Sequence, residues 1–226
     1  MRLASFALCL CTAFPGMASE DCREDAMIVF DGSGSMAETG FNQLDEPRIF
    51  EARRAIHAAV PPIAEMRRLG LVVYGPGGAD ECSGVSVELA PTDNATPAIL
   101  ATVDGLQPAG DTALTEAVKL AAEVLDYRLK PGALVLVTDG KETCGGMPCQ
   151  LAAELAADSA DLTVHVIGFK VRGKFFAWGD NQSNYTDADT VSRCLADRTG
   201  GLYVRAETVD ELINALRKTI GCNLIF

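Results

Sequence analysis

Two short apolar runs, residues 26–30 and 133–138, each end in an aspartate followed by glycine, Asp31-Gly32 and Asp139-Gly140. Runs this short and this apolar, bounded by turn residues, read as strands buried on both faces. Further strands are expected at 70–74, 162–169 and 202–205. Between them lie segments with helical spacing, so strands and helices alternate. That alternation predicts a doubly wound, mostly parallel α/β sheet with helices on both faces, whose ligands collect at the carboxyl edge of the strands. Asp31 and Asp139 both fall at that edge.

The remaining elements follow from local pattern. Residues 48–60 place Ile49, Ala52, Ile56 and Ala59 on one helical face, and Pro61-Pro62 is expected to interrupt that helix. Val85, Val87 and Leu89 alternate with Ser86 and Glu88, which suits an exposed, antiparallel edge strand. Thr96-Pro97 reads as a cap followed by proline at the first helical position. A strong amphipathic helix is expected over 113–127, and others over 149–157, 188–198 and 209–220. No repeat, low-complexity segment or interdomain linker interrupts the pattern.

After the first strand comes Asp31-Gly32-Ser33-Gly34-Ser35, which sets one carboxylate and two hydroxyls at alternate positions. The glycines are expected to let the backbone curl so that all three side chains point inward. Such a loop suits a small hard cation, Mg²⁺ before Ca²⁺. An EF-hand reading fails because its sixth position would be Met36 and its twelfth Asn42. A dinucleotide fingerprint is partly matched by Gly32, Gly34 and Ala37. The next strand, however, ends in Gly75-Pro76 with no acid for a ribose. A plain Gly/Ser turn with no ligand is the remaining reading of the stretch alone.

Distant residues add weight. Thr112 stands at the start of the 113–127 helix, and Asp139 ends the 133–138 strand. With D-x-S-x-S first, then Thr, then Asp, the chain resembles a von Willebrand factor type A domain over roughly residues 25–220. The resemblance implies that family's metal-ion-dependent adhesion site at Asp31, Ser33, Ser35, Thr112 and Asp139, all five matched. It implies a strand order of 3-2-1-4-5-6, the third strand antiparallel at the edge, with Asp31 and Asp139 side by side. It also implies Mg²⁺ as the cofactor, with Mn²⁺ or Ca²⁺ possible, and a partner Asp or Glu carboxylate completing the coordination. Two carboxylates roughly cancel the ion's charge, which leaves it able to accept that further anion. Asp31→Ala is expected to abolish metal binding at little cost in stability, on the expectation that Asp31 faces a solvent-filled crevice.

Residues 1–18 read as a secretory signal, with Arg2, an apolar stretch over 3–14 and small residues Gly16 and Ala18 before cleavage. One domain, 19–226, is expected to remain, secreted or periplasmic. No later run reaches the roughly 20 apolar residues that a membrane helix needs. Without Arg2 the chain has 18 basic and 31 acidic residues, a net charge of −13, which argues against nucleic acid as a partner. Six of the eight cysteines lie beyond the signal, an even number that suggests three disulfides, while no C-x-x-C pair supports zinc. On the implied topology the chain termini lie close, so Cys22 is expected to pair with Cys222. The other four allow three pairings, of which Cys82–Cys144 with Cys149–Cys194 suits the topology, and Cys144–Cys149 is locally easy.

These features favour a binding module that recognises a protein through a metal ion. Metal-assisted hydrolysis is the alternative of a different class. It lacks a general base, since His57 and His165 both fall in apolar-periodic elements, and it lacks the D-x-D of haloacid phosphatases. A scaffold with a purely structural metal is the third reading. The loop 170–187 should lie on the metal face, and its Phe175, Phe176, Trp178 and Tyr185 are candidates for partner contact. The same loop could instead pack as a lid on its own domain.

Overall fold

Strands β1 (Asp25–Asp31), β2 (Leu69–Tyr74), β3 (Val85–Thr92), β4 (Pro131–Thr138), β5 (Asp161–Phe169) and β6 (Tyr203–Ala206) form one sheet in the order β3-β2-β1-β4-β5-β6. The computed structural model describes residues 24–39, 44–170 and 187–221, with side chains except at 187–191. Only β3 runs antiparallel, paired with β2 at the edge, and every other pairing is parallel. The helices are α1 (Arg48–Ala64), α2 (Thr96–Gly105), α3 (Leu114–Val124), α4 (Pro148–Asp158), α5 (Asp187–Thr199) and α6 (Val209–Thr219).

The apolar runs are explained by two separate cores. Ala26, Ile28 and Phe30 of β1 face one layer with α1, α2 and α6. Met27 and Val29 face the other with α3, α4 and α5. β4 divides in the same way, Ala133, Val135 and Val137 on one side, Leu134 and Leu136 on the other. A strand buried on both faces has no place for a polar residue until its end. Parallel register pairs Phe30 with Val137, so Asp31 and Asp139 emerge together where β1 and β4 stop.

Three local expectations are corrected. Pro61 and Pro62 do not interrupt α1, which continues to Ala64. Proline at 62 cannot donate to the Ala58 carbonyl. Arg217 Nη2 of α6 donates to that carbonyl instead, at 3.3 Å. Thr96 is not a cap: Asn94 takes φ +55°, and the helix is entered through Ala95 with no side-chain cap bond. The helix expected over 113–127 ends at Val124. Asp126 adopts φ +57°, and the Tyr127 and Asp126 amides donate to Ala122 O (3.2 Å) and Glu123 O (3.0 Å). Those two bonds form a Schellman closure with aspartate in the usual glycine position, and buried Tyr127 anchors it.

Disulfides join Cys82 to Cys144 and Cys149 to Cys194. The first links two loops at the carboxyl edge and the second links α4 to α5. Cys22 and Cys222 lie outside the described residues, as do Phe175, Phe176, Trp178 and Tyr185. Among the described residues no helix is long and apolar enough to cross a membrane.

Candidate metal centre

At the end of β1 the Asp31 side chain is fully buried. Its Oδ1 accepts the Ser33 amide at 2.9 Å and the Ser33 hydroxyl at 2.6 Å. Its Oδ2 accepts Thr138 Oγ1 at 3.0 Å and the Asp139 amide at 3.3 Å. Asp31 therefore does not face a solvent-filled crevice, and its removal would leave two buried amides without an acceptor. Nor do the motif glycines work through left-handed backbone, since neither Gly32 nor Gly34 has positive φ. Gly32 is needed for close approach: a Cβ there would lie 2.9 Å from Leu106 Cδ2 and 3.0 Å from Tyr74 O. A short 3-10 turn, Gly34–Ala37, then carries Ser35 toward Asp139.

Ser35 donates its hydroxyl to Asp139 Oδ1 at 2.6 Å, and the Ser33 and Ser35 oxygens lie 3.0 Å apart. A serine hydroxyl has one proton. Each serine oxygen also lies 2.6 Å from an aspartate oxygen, and with both carboxylates ionised each serine gives its proton to one of them, so that the two oxygens face each other with lone pairs. Magnesium binds oxygens octahedrally at about 2.1 Å, which sets neighbouring ligands about 3 Å apart. The serine pair fits that spacing, and the donor set of carboxylates and hydroxyls is hard throughout.

Thr112 is buried, its Oγ1 3.8 Å from where a Cβ on Gly140 would stand, and Gly110 O, two residues before it, accepts the Gly34 amide at 2.9 Å. Thr112 is held by loops rather than by α3. Its amide donates to Thr143 Oγ1 at 2.8 Å, and the Thr143 amide returns a bond to Thr112 O at 3.1 Å. Gly110 has φ +70°, and a Cβ there would meet Gly75 O at 2.2 Å, so glycine is required where the segment threads between loops.

Several residues of the site were not legible as such in the sequence. Arg48, at the first position of α1, is buried and donates through Nη1 to Asp139 Oδ2 and to Ser35 O (3.1 Å). It shares the α1 face of Ala52, Ala55 and Ala59, and a cation in line with an apolar stripe signals a buried partner. Glu51 on the same helix gives the same signal and pairs with Lys170 at 2.8 Å. Tyr74 donates to Thr138 Oγ1 at 3.0 Å, so a hydrogen-bonded chain from Tyr74 through Thr138 orients Asp31. Glu142 Oε2 accepts the Thr115 amide (2.8 Å) and hydroxyl (2.6 Å), capping α3 from another loop.

The electrostatics are those of crowded anions. Burial pushes the Asp139 carboxyl up to about 7, the neighbouring Asp31 charge adds to this, and Arg48 opposes it. Burial, then Asp31, drive the Tyr74 phenol well above its ordinary range. Two buried carboxylates against one guanidinium leave the pocket short of positive charge. His57 is elsewhere, on the surface, with Nε2 2.9 Å from Asp104 Oδ1. His165 accepts the Leu202 amide at 3.0 Å. Cys82, Asp111 and Cys144 cluster closely enough for a metal, but the sulfurs are bonded to each other at 2.07 Å and have no thiolate to offer.

A family model, the von Willebrand factor type A domain, matches residues 26–142. The uncharacterized protein YwmD of Bacillus subtilis (strain 168) is 28% identical over 91% of this chain and 89% of its own length. Among solved structures, an aerotolerance-related membrane protein from Bacteroides fragilis superposes with a TM-score of 0.62. It is 20% identical, over 87% of this chain and 98% of its own. Proximal thread matrix protein 1 from the mussel byssus, solved with a zinc-occupied MIDAS motif, gives 0.56 at 15% identity, over 89% and 46% of the two chains.

Proposed function

The chain belongs to the von Willebrand factor type A domain family, and on that premise we propose that it is a metal-dependent protein-binding module. Asp31, Ser33, Ser35, Thr112 and Asp139 hold a divalent cation, magnesium by the hardness of the donor set, with manganese or calcium as substitutes. The observation that carries this reading is the serine pair, two oxygens 3.0 Å apart, each also 2.6 Å from an aspartate oxygen. The zinc-occupied site of the mussel protein supports a divalent occupant in this fold.

Bound there, the cation supplies a Lewis-acidic point that accepts a carboxylate oxygen from a partner protein. The chain's own residues prepare that point. Thr138 and the Asp139 amide fix Asp31, and Arg48 fixes the outer oxygen of Asp139. Loss of solvent around both carboxylates strengthens their pull on a cation. Binding is preferred to hydrolysis because, among the described residues, no histidine is bonded to any of the five ligands: His57 pairs with Asp104 and His165 accepts the Leu202 amide. Export through residues 1–18 is part of the same proposal and is checked by N-terminal sequencing, which should begin at Ser19.

Calorimetric titration with Mg²⁺ tests the site. Wild type is expected to bind and Asp31→Ala to show no binding; equal affinity in both overturns the assignment. Affinity capture from the native host, eluted with EDTA, tests the mode. A partner that stays bound in EDTA makes the metal structural.

A further inference from the structure

We infer that the Cys82–Cys144 disulfide is a clasp that positions Thr112, and that through Thr112 it sets the divalent-cation affinity of the site. The cation part of this inference rests on the function proposed above; the positioning part does not.

The bridge closes a loop around one dipeptide. On one side the Asp111 amide donates to Glu81 O at 2.7 Å, one residue before Cys82. On the other, Thr112 exchanges two bonds with Thr143, one residue before Cys144. Asp111-Thr112 is thus held between two backbone segments, and the disulfide joins those segments at the next residue on each. Cys82 Sγ itself lies 3.9 Å from Asp111 Oδ2. The Cys144 amide donates to Glu142 Oε1 at 2.9 Å, while Glu142 Oε2 pins the first turn of α3. Thr112 has no regular element of its own to fix it, since it precedes α3 and its carbonyl and amide are both spent on the 143 loop. Without the bridge, the 75–84 and 140–147 loops would be free to separate, and Thr112, buried next to Gly140, would lose its place.

The second disulfide is an internal control. Cys149–Cys194 ties α4 to α5 over a similar separation, 45 residues against 62, yet none of the five proposed ligands hydrogen-bonds to a neighbour of either cysteine among the described residues. Both bridges should stabilise the fold, but only one should govern the site.

The experiment compares the double variants Cys82→Ser/Cys144→Ser and Cys149→Ser/Cys194→Ser. Amide hydrogen exchange of the metal-free proteins comes first. Faster exchange at Asp111 and Thr112 is expected only when the 82–144 bridge is removed. Unchanged exchange there, or equal acceleration in the control, overturns the clasp whether or not metal binds. Titration with Mn²⁺ comes second. Removing the 82–144 bridge is expected to weaken binding about tenfold, the usual range for groups that orient a metal ligand. The control is expected to stay within about twofold of wild type. In a Thr112→Ala background the loss should vanish, because the route runs through that residue. A loss that persists there overturns the route. Thr143→Val keeps the bridge and removes the Thr112 acceptor, so it serves where the serine variant fails to fold. Affinity within about twofold of wild type in Thr143→Val overturns the inference. Wild type that binds no Mn²⁺ overturns the proposed function and the cation half of this inference, leaving the exchange result to decide the clasp.

Discussion

Two arginines are buried at opposite rims of the same sheet, and each has a different main partner. Arg48, at the carboxyl rim, faces the Asp139 carboxylate. Arg67, at the amino rim, gives Nη2 to Glu24 O at 2.9 Å and Nη1 to Ile220 O at 3.2 Å, tying the start of β1 to the end of α6. Backbone carbonyls are fixed partners that no proton or ion can take away. A carboxylate can instead be neutralised by a proton or shared with a metal. The amino rim is therefore held mainly by backbone carbonyls, with the Glu24 carboxylate a longer partner 3.6 Å from Arg67 Nη2, whereas the carboxyl rim is architecture whose charge balance is left open.

The largest effect expected from this difference is at Arg48. Arg48→Met removes one partner of a buried pair and should cost about 4 kcal/mol at pH 8 in EDTA. The loss should shrink at pH 5, where Asp139 is protonated, and again in saturating Mg²⁺. Urea unfolding under the three conditions measures it, and an unvarying loss would make Arg48 another piece of architecture. Next is Arg67→Met, which strips charged donors from a buried carbonyl at Ile220 and a part-buried one at Glu24, at about 3 kcal/mol. Here the same loss is expected with and without metal and at both pH values; rescue by Mg²⁺ would erase the contrast between the rims.

A third prediction concerns pH at the amino-rim side. Burial, and then the charge of Arg67, depress His165 to about 4 from an ordinary 6.5. A lowered histidine is neutral in the folded protein, so its contribution is intact above pH 6.5 and is lost as pH falls toward 4. The difference between those values corresponds to at most about 3 kcal/mol. Stability of His165→Leu should fall less than wild type over that window, and parallel curves would show that His165 does not carry the acid sensitivity. The smallest effect is expected from Thr112→Ala: about tenfold weaker Mg²⁺ binding, since water can replace a neutral ligand, with the thermal midpoint nearly unchanged. Abolished binding would rank Thr112 with Asp31 instead.

Asp31→Ala shows how structure changed an expectation drawn from the sequence. Relief of repulsion with Asp139 still favours the variant. Against it stand the Ser33 and Asp139 amides, which lose their buried acceptor, at about 1–3 kcal/mol each. The metal-free variant should melt below wild type, not level with it.

The sequence by itself determined the sheet and the positions of the acids. A strand covered on both faces must be apolar along its length, so 26–30 and 133–138 declared themselves, and the first polar residue after each had to fall at the rim. Ser33 and Ser35 were equally legible, because their spacing from Asp31 is local. What only the tertiary structure decided were the partners. Arg48 meets Asp139 across 91 residues, Thr138 meets Asp31 across 107, and Glu142 caps a helix that starts 28 residues before it. It also decided that α1 runs through two prolines, because Arg217 from the last helix takes a carbonyl they leave unbonded. Helical spacing and strand periodicity are written into neighbouring residues. The partner of a buried charge or an orphaned carbonyl is chosen only when folding brings a distant segment within hydrogen-bond reach, and no local pattern carries that information.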